Sequence, residues 1–155
     1  MRLCCHIGLC VTDLERSKRF YCELLGFSHD RDFHQPAESA TSFLRLDPPA
    51  DLTAVYLTLG AFQLELLHYS SPGADGARAR QMNETGLTHI SLVVPDIAAT
   101  VAKVRDYGGE IFSEMGDLAA VLRDPDGQIV ELVTPYYWQS VLDDRAARAA
   151  QSSSS

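Results

Sequence analysis

Apolar and polar residues alternate with two different periods along this chain, and the switch between the two periods happens twice. From residue 3 to residue 11 every second position is apolar, Leu3, Cys5, Ile7, Leu9 and Val11, which predicts an extended strand with one face turned to a core. At Asp13 the period changes. Phe20, Tyr21 and Leu24 share one face of a predicted helix over 14–25, with Asp13 as N-cap and Gly26 as the stop. Strand patterns then return over 27–33, 41–46, 53–59 and 61–69. The second half runs through the same order: a strand from His89, the cap Asp96, a helix over 97–107 with the stripe Ile97, Val101 and Val104, a stop at Gly108-Gly109, and strands over 110–112, 119–123 and 128–134. Asp47-Pro48-Pro49, Ser71-Pro72-Gly73 and Asp124-Pro125-Asp126-Gly127 carry turn chemistry between them.

The repetition extends to residue identity. His6-Ile7-Gly8-Leu9-Cys10-Val11-Thr12-Asp13 and His89-Ile90-Ser91-Leu92-Val93-Val94-Pro95-Asp96 agree at five of eight positions, 83 residues apart. Two β-α-β-β-β modules are therefore expected, over 1–72 and 86–134 with a linker over 73–85. Together they make a single α+β domain over 1–134, with the helices on the outer face of a cupped mixed β-sheet. The tail over 135–155, with Tyr136-Tyr137-Trp138 and an Ala/Arg-rich stretch, is expected to be partly helical and then disordered at its Ser-rich end. The first copy spends 17 more residues than the second between its His and the Glu of its last strand. The surplus falls within 28–60, where 35–40 and 47–51 read as loops or an added hairpin, placed to serve as a substrate lid or as plain surface.

Strand parity singles out four polar residues. His6 opposes the apolar row of its strand, and His89 opposes Ile90, Leu92 and Val94 in the same way. Glu65 lies between Leu64 and Leu66, and Glu131 between Val130 and Leu132. Each residue alone reads as an ordinary surface or packing residue; their matched places in two copies are what point to a shared site. If the face opposite the helices curves into a cup, the four converge. Two imidazoles and two carboxylates suit one divalent ion, Zn²⁺, Ni²⁺, Co²⁺, Mn²⁺ or Fe²⁺, with positions left for water or substrate. Cys4, Gly8 and Cys10 share the parity of His6, His68 falls on the apolar parity and reads as packing, and His29 and His34 sit in loop-like sequence.

Composition narrows the partners. The chain has 155 residues, 46% of them hydrophobic, enough for a core without disulfide staples. A net charge of −8 with no basic cluster speaks against nucleic acid and anionic membranes, and the opening apolar stretch is too short to span a bilayer. A cytosolic (cytoplasmic) protein acting on a small-molecule substrate is expected. Cys4, Cys5, Cys10 and Cys22 show no C-x-x-C spacing and are expected to be buried, reduced thiols.

Taken together, His6 to Leu14 with Phe20-Tyr21 and Leu24-Leu25-Gly26-Phe27, Leu64-Glu65-Leu66, Gly86 to Ser91, and Asp124 to Glu131 resemble the vicinal oxygen chelate superfamily over residues 3–134. That superfamily includes glyoxalase I, methylmalonyl-CoA epimerase, the extradiol dioxygenases, and the fosfomycin and bleomycin resistance proteins. The resemblance implies paired modules around one metal, with His6, Glu65, His89 and Glu131 at the ligand positions. Glyoxalase-type isomerases and epimerases keep all four, the dioxygenases and fosfomycin enzymes use two His and one Glu, and bleomycin-binding members lack the metal. It further implies a glyoxalase I-like lyase or isomerase that moves a proton next to a metal-chelated carbonyl, with Glu65 and Glu131 as catalytic base and acid. An epimerase with Glu38 as an extra base, an Fe²⁺ dioxygenase and a non-catalytic binding protein are the alternatives. The arginines that hold the glutathione carboxylates in glyoxalase I have no identifiable counterpart here. A two-fold homodimer is the expected assembly, and the cup closes either within one chain or across that dimer.

Overall fold

A computed structural model describes residues 3–76 and 80–152 of the chain. The first module comprises β1 (Ile7–Cys10), α1 (Leu14–Lys18), β2 (Ser28–Gln35), α2 (Ala37–Leu44), β3 (Asp51–Leu59) and β4 (Phe62–Ser71). The second comprises β5 (His89–Val93), α3 (Ile97–Val101), β6 (Glu110–Met115), β7 (Ala119–Arg123) and β8 (Ile129–Val133), and α4 (Pro135–Ser152) follows. Each module builds a four-stranded mixed sheet, in the orders β1-β4-β3-β2 and β5-β8-β7-β6. This is the expected α+β architecture of two tandem modules, realised as two sheets rather than one.

Both helices start and stop as their sequences predict. The Asp13 carboxylate accepts from the Arg16 amide at 3.0 Å and the Asp96 carboxylate from the Ala99 amide at 2.8 Å. Gly26 and Gly108 end them with φ of 80° and 79°, a conformation that disfavours any side chain. α1 widens into a π-helical turn over Arg19–Leu24, which buries Phe20 and Tyr21 side by side. α3 tightens into a 3₁₀ turn over Val104–Tyr107.

One hydrophobic core serves both modules. Leu9, Val11, Leu57, Leu64 and Leu66 of the first sheet and Ile90, Leu92, Leu122, Val130 and Leu132 of the second belong to a single cluster with Phe20, Tyr21, Ile97 and Val104 of the helices. The helix-facing sides of the two sheets thus share their burial. Gly109 makes the close approach possible: a Cβ there would lie 2.6 Å from the Phe20 ring and 2.8 Å from the Arg123 carbonyl oxygen.

The turn after β7 docks on α1. The Tyr21 hydroxyl donates to the Asp124 carboxylate at 2.8 Å, and that carboxylate, 4% exposed, also accepts from the amides of Asp126 and Gln128. Beside it, Asp126 takes the Arg16 guanidinium at 2.8 Å and the backbone and hydroxyl of Thr12. Burial raises the pKa of Asp124 above the usual aspartate range, opposed by the hydrogen bonds from Tyr21 and the two amides. Burial and the Asp124 charge push the Tyr21 phenol well above its ordinary value.

Several expectations are corrected. Residues 41–46 do not form a strand, and 35–40 is neither loop nor hairpin: α2 occupies most of this stretch, because Ala40 and Leu44, four residues apart, share a face that packs on Leu52, Leu67 and Tyr69. The first strand starts at Ile7 rather than Leu3: its pairing with β4 begins at Ile7 opposite Leu64, and Leu3 is 67% exposed. The cysteines are free, as expected, but Cys4, Cys5 and Cys10 are exposed and Cys22 half-buried. His29 and His34 lie in β2 rather than in loops. The tail is helical through Ser152; its last three serines, like linker residues 77–79, lie outside the described residues. Among the described residues no helix is long and apolar enough to cross a membrane.

Removing the phenol at the junction leaves the buried Asp124 carboxylate one donor short. Tyr21→Phe is expected to lower the unfolding free energy by about 1–3 kcal/mol at neutral pH. The hydrogen bond favours the charged carboxylate, so wild type has the lower Asp124 pKa of the two proteins. The penalty must therefore shrink as pH falls through the Asp124 titration, which urea denaturation at neutral and acid pH measures.

Candidate metal centre

Strand register brings the four candidate ligands together in pairs. β1 runs parallel to β4 with Gly8 opposite Glu65, and β5 runs parallel to β8 with Ser91 opposite Glu131. In each module the His stands two residues before the position facing the Glu, on the same outward face. His6 Nε2 lies 3.1 Å from Glu65 Oε2, and His89 Nε2 lies 3.8 Å from Glu131 Oε2. The preceding side chain meets Nδ1 in both: Cys5 Sγ at 3.4 Å from His6 and Thr88 Oγ1 at 2.9 Å from His89. Each ring is thereby oriented with Nε2 toward its carboxylate.

The two pairs do not meet within one chain. Among the described residues no group of three or more His, Cys, Asp or Glu is placed to hold a metal ion. Convergence of all four in a cup closed by one chain is therefore not what the fold produces. The apolar rows of both sheets lie in one core, and each His–Glu pair stands on the opposite parity of its own sheet.

The surroundings of the pairs differ. On the first sheet, cross-strand rows run Arg31–Tyr56–Glu65, Phe33–Ala54–Leu67 and Gln35–Leu52–Tyr69. α2 covers the far end of these rows. A cavity of about 420 Å³ results, with His6 and Glu65 in its wall. The pKa of Tyr56 is raised, first by hydrogen bonding to the Glu65 carboxylate. Its ring stands edge-on to the His6 ring at 5.7 Å and carries the Arg31 guanidinium 4.0 Å above its centroid. On the second sheet Val121 stands where Tyr56 stands on the first, opposite Glu131. His89 opens into a recess of about 870 Å³ shared with Ser91, Phe62, Leu59 and Trp138. The Glu65 side chain is 13% exposed and that of Glu131 33%.

Gly8 makes room for the first pair. A Cβ there would sit 3.2 Å from Leu67 and 3.5 Å from the Glu65 carboxylate. Glu38 is exposed on α2 and borders a small hollow with Pro48 and Pro49, away from His6, so the extra-base reading has no geometric support. His29 pairs with Asp32 and His34 with Asp51, and His68 is half-buried opposite Thr53. Although Cys10 is exposed as a residue, partial desolvation of its sulfur and then the Asp126 and Asp75 charges raise its pKa, which disfavours the nucleophilic thiolate. Sequence reasoning missed Tyr56, Arg31 and α2. The strand pattern over 53–59 was visible, but only the register of β3 against β4 puts Tyr56 beside Glu65.

The model of the Glyoxalase/Bleomycin resistance protein/Dioxygenase superfamily matches residues 5–132. A probable lactoylglutathione lyase of Synechocystis sp. is 29% identical over 137 residues, covering 83% of this chain and 92% of the relative. A lactoylglutathione lyase of Pseudomonas putida is 31% identical over 144 residues, covering 84% of this chain and 83% of the relative. Among solved structures, the trypanothione-dependent glyoxalase I of Leishmania major superimposes with a TM-score of 0.69 at 22% identity, covering all of both chains.

The space at Gly8 has a direct test. Gly8→Val is expected to crowd Leu67 and the Glu65 carboxylate, costing about 1–3 kcal/mol of stability. The His6 ring resonances should shift in long-range ¹H–¹⁵N spectra while those of His89 stay in place.

Proposed function

Because the chain belongs to the Glyoxalase/Bleomycin resistance protein/Dioxygenase superfamily, we propose that it is a divalent-metal-dependent lyase or isomerase of the glyoxalase I type. Each of its sites is assembled from the His6–Glu65 pair of one copy and the His89–Glu131 pair of a second. The observation that carries this reading is the pair of identical His–Glu staggers, on outward faces that one chain holds apart. Two donors are too few for a stable ion, whereas two imidazoles and two carboxylates are a fitting set for Zn²⁺, Ni²⁺, Co²⁺, Mn²⁺ or Fe²⁺. A two-fold axis that lays the first face of each copy on the second face of the other makes two equivalent four-ligand sites. The relatives named lactoylglutathione lyase support the reaction type.

A metal ion held there would polarise two neighbouring oxygens of the substrate and so ease loss of the proton beside its carbonyl. The two carboxylates divide the remaining work. Glu65, more buried and directly opposite Tyr56 on the neighbouring strand, is held in place as a ligand. Glu131, more exposed and facing Val121, is the one free to take the proton from the hydroxyl-bearing carbon and return it to the neighbouring carbon. The hydroxyl hydrogen passes to the other oxygen, so the isomerisation consumes no oxidant or reductant.

Hybrid dimers test the assembly. His6→Ala and His89→Ala homodimers should each lose high-affinity Ni²⁺ binding. A purified heterodimer of the two variants should recover one ion per dimer, because one of its sites then takes both intact halves. Wild type should bind one ion per chain, and recovery of none in the heterodimer would overturn the shared site.

A further inference from the structure

The cavity against which His6 and Glu65 stand has a composition that speaks to the substrate. Its wall is built from Phe33, Leu52, Leu67 and Tyr69 on the sheet and from Phe43 and Leu44 on α2. Among the described residues that line it there is no Lys or Arg. The recess beside His89, which would supply the other half of the site, is also without Lys or Arg among its described lining. Arg31, on the row of Glu65, lies on the Tyr56 ring and is already paired with Asp30, and Arg123, on the row of His89, is paired with Glu110. A chain of net charge −8 adds a repulsive field for any anion.

A carboxylate entering such a cavity loses its hydration and gains no counter-charge, which is costly. An uncharged ring or branched alkyl group gains from the same transfer, by roughly 25 cal/mol for each Å² removed from water. A volume of about 420 Å³ is also within the usual range for small-molecule sites. α2 is the element that closes the cavity, and the second module has no equivalent helix.

Resting on the metal-site reading above, we infer that the substrate carries an uncharged apolar group, aromatic or branched aliphatic, next to its two metal-binding oxygens. That group sits between α2 and the first sheet, and the substrate is not a conjugate of an anionic thiol such as glutathione, with its two carboxylates.

Calorimetric titration of the Ni²⁺-loaded protein with benzohydroxamic acid and with S-benzylglutathione separates the possibilities. Benzohydroxamic acid, which chelates the ion through two neighbouring oxygens on loss of its N–OH proton and carries an uncharged ring, is expected to bind at least 10-fold more tightly than S-benzylglutathione and than acetohydroxamic acid, which chelates in the same way without an apolar group. Phe43→Arg changes an 82% exposed position at the cavity and so leaves the fold intact. It should narrow the ratio by weakening the first ligand and strengthening the second. Equal or tighter binding of S-benzylglutathione to the metal-loaded wild type would overturn the substrate class while leaving the metal site standing. An unchanged ratio in Phe43→Arg would overturn the placement against α2. Failure to take up Ni²⁺ at all would remove the functional reading on which both depend.

Discussion

The hydrogen bond from Tyr21 to the buried Asp124 carboxylate joins the two halves of this protein, and much of the geometry depends on that contact. Asp124 belongs to the turn that ends the second sheet's hairpin, and Tyr21 to the helix that covers the first sheet. An aspartate buried to this extent is tolerated because three donors converge on it. Its neighbour Asp126, paired with Arg16 and Thr12, ties the same turn to α1. With helices and sheets fixed in this way, both modules bury their apolar rows in one core. Neither half is large enough to be comfortable with a core of its own.

That core decides where the chemistry goes. Because the apolar rows of both sheets feed one core, each His–Glu pair stands half-buried on the opposite parity of its own sheet. A His and a Glu stand on each face at the same stagger, so the duplication produces two half-sites. On the proposed reading the site is linked to association, since a second copy would supply the missing ligands. The exposed side chains of Tyr136, Tyr137 and Trp138 at the start of α4, with Trp138 beside His89, leave apolar surface next to one half-site.

The two half-sites have also diverged. The first has gained Tyr56 against Glu65, Arg31 over that ring, and α2 as the wall of a cavity. The second has Val121 and an open recess instead. On the proposed reading, the more enclosed carboxylate suits a ligand, and the less encumbered one suits proton transfer. On the proposed reading, this asymmetry would give different roles to residues that the repeat alone makes equivalent.

The amino-acid sequence by itself determined the two-module plan, the helix caps at Asp13 and Asp96, most strand positions, and the matched strand places of His6, Glu65, His89 and Glu131. All of these are encoded locally, by period-two and helical patterning and by residues whose side chains or backbone freedom set a turn. Parity along one strand is enough to say that His6 opposes Leu9 and Val11. It does not say which way a whole sheet faces, because that depends on what the opposite row packs against. The failure at α2 has a related origin: a short stretch with Ala40 and Leu44 fits a helix only once Leu52, Leu67 and Tyr69 are present to receive them. The pairing of each His with its Glu, the meeting of Tyr56 and Glu65, and the separation of the half-sites were decided by the tertiary structure. Each follows from strand register and from a core shared by segments distant along the chain, which no local pattern records.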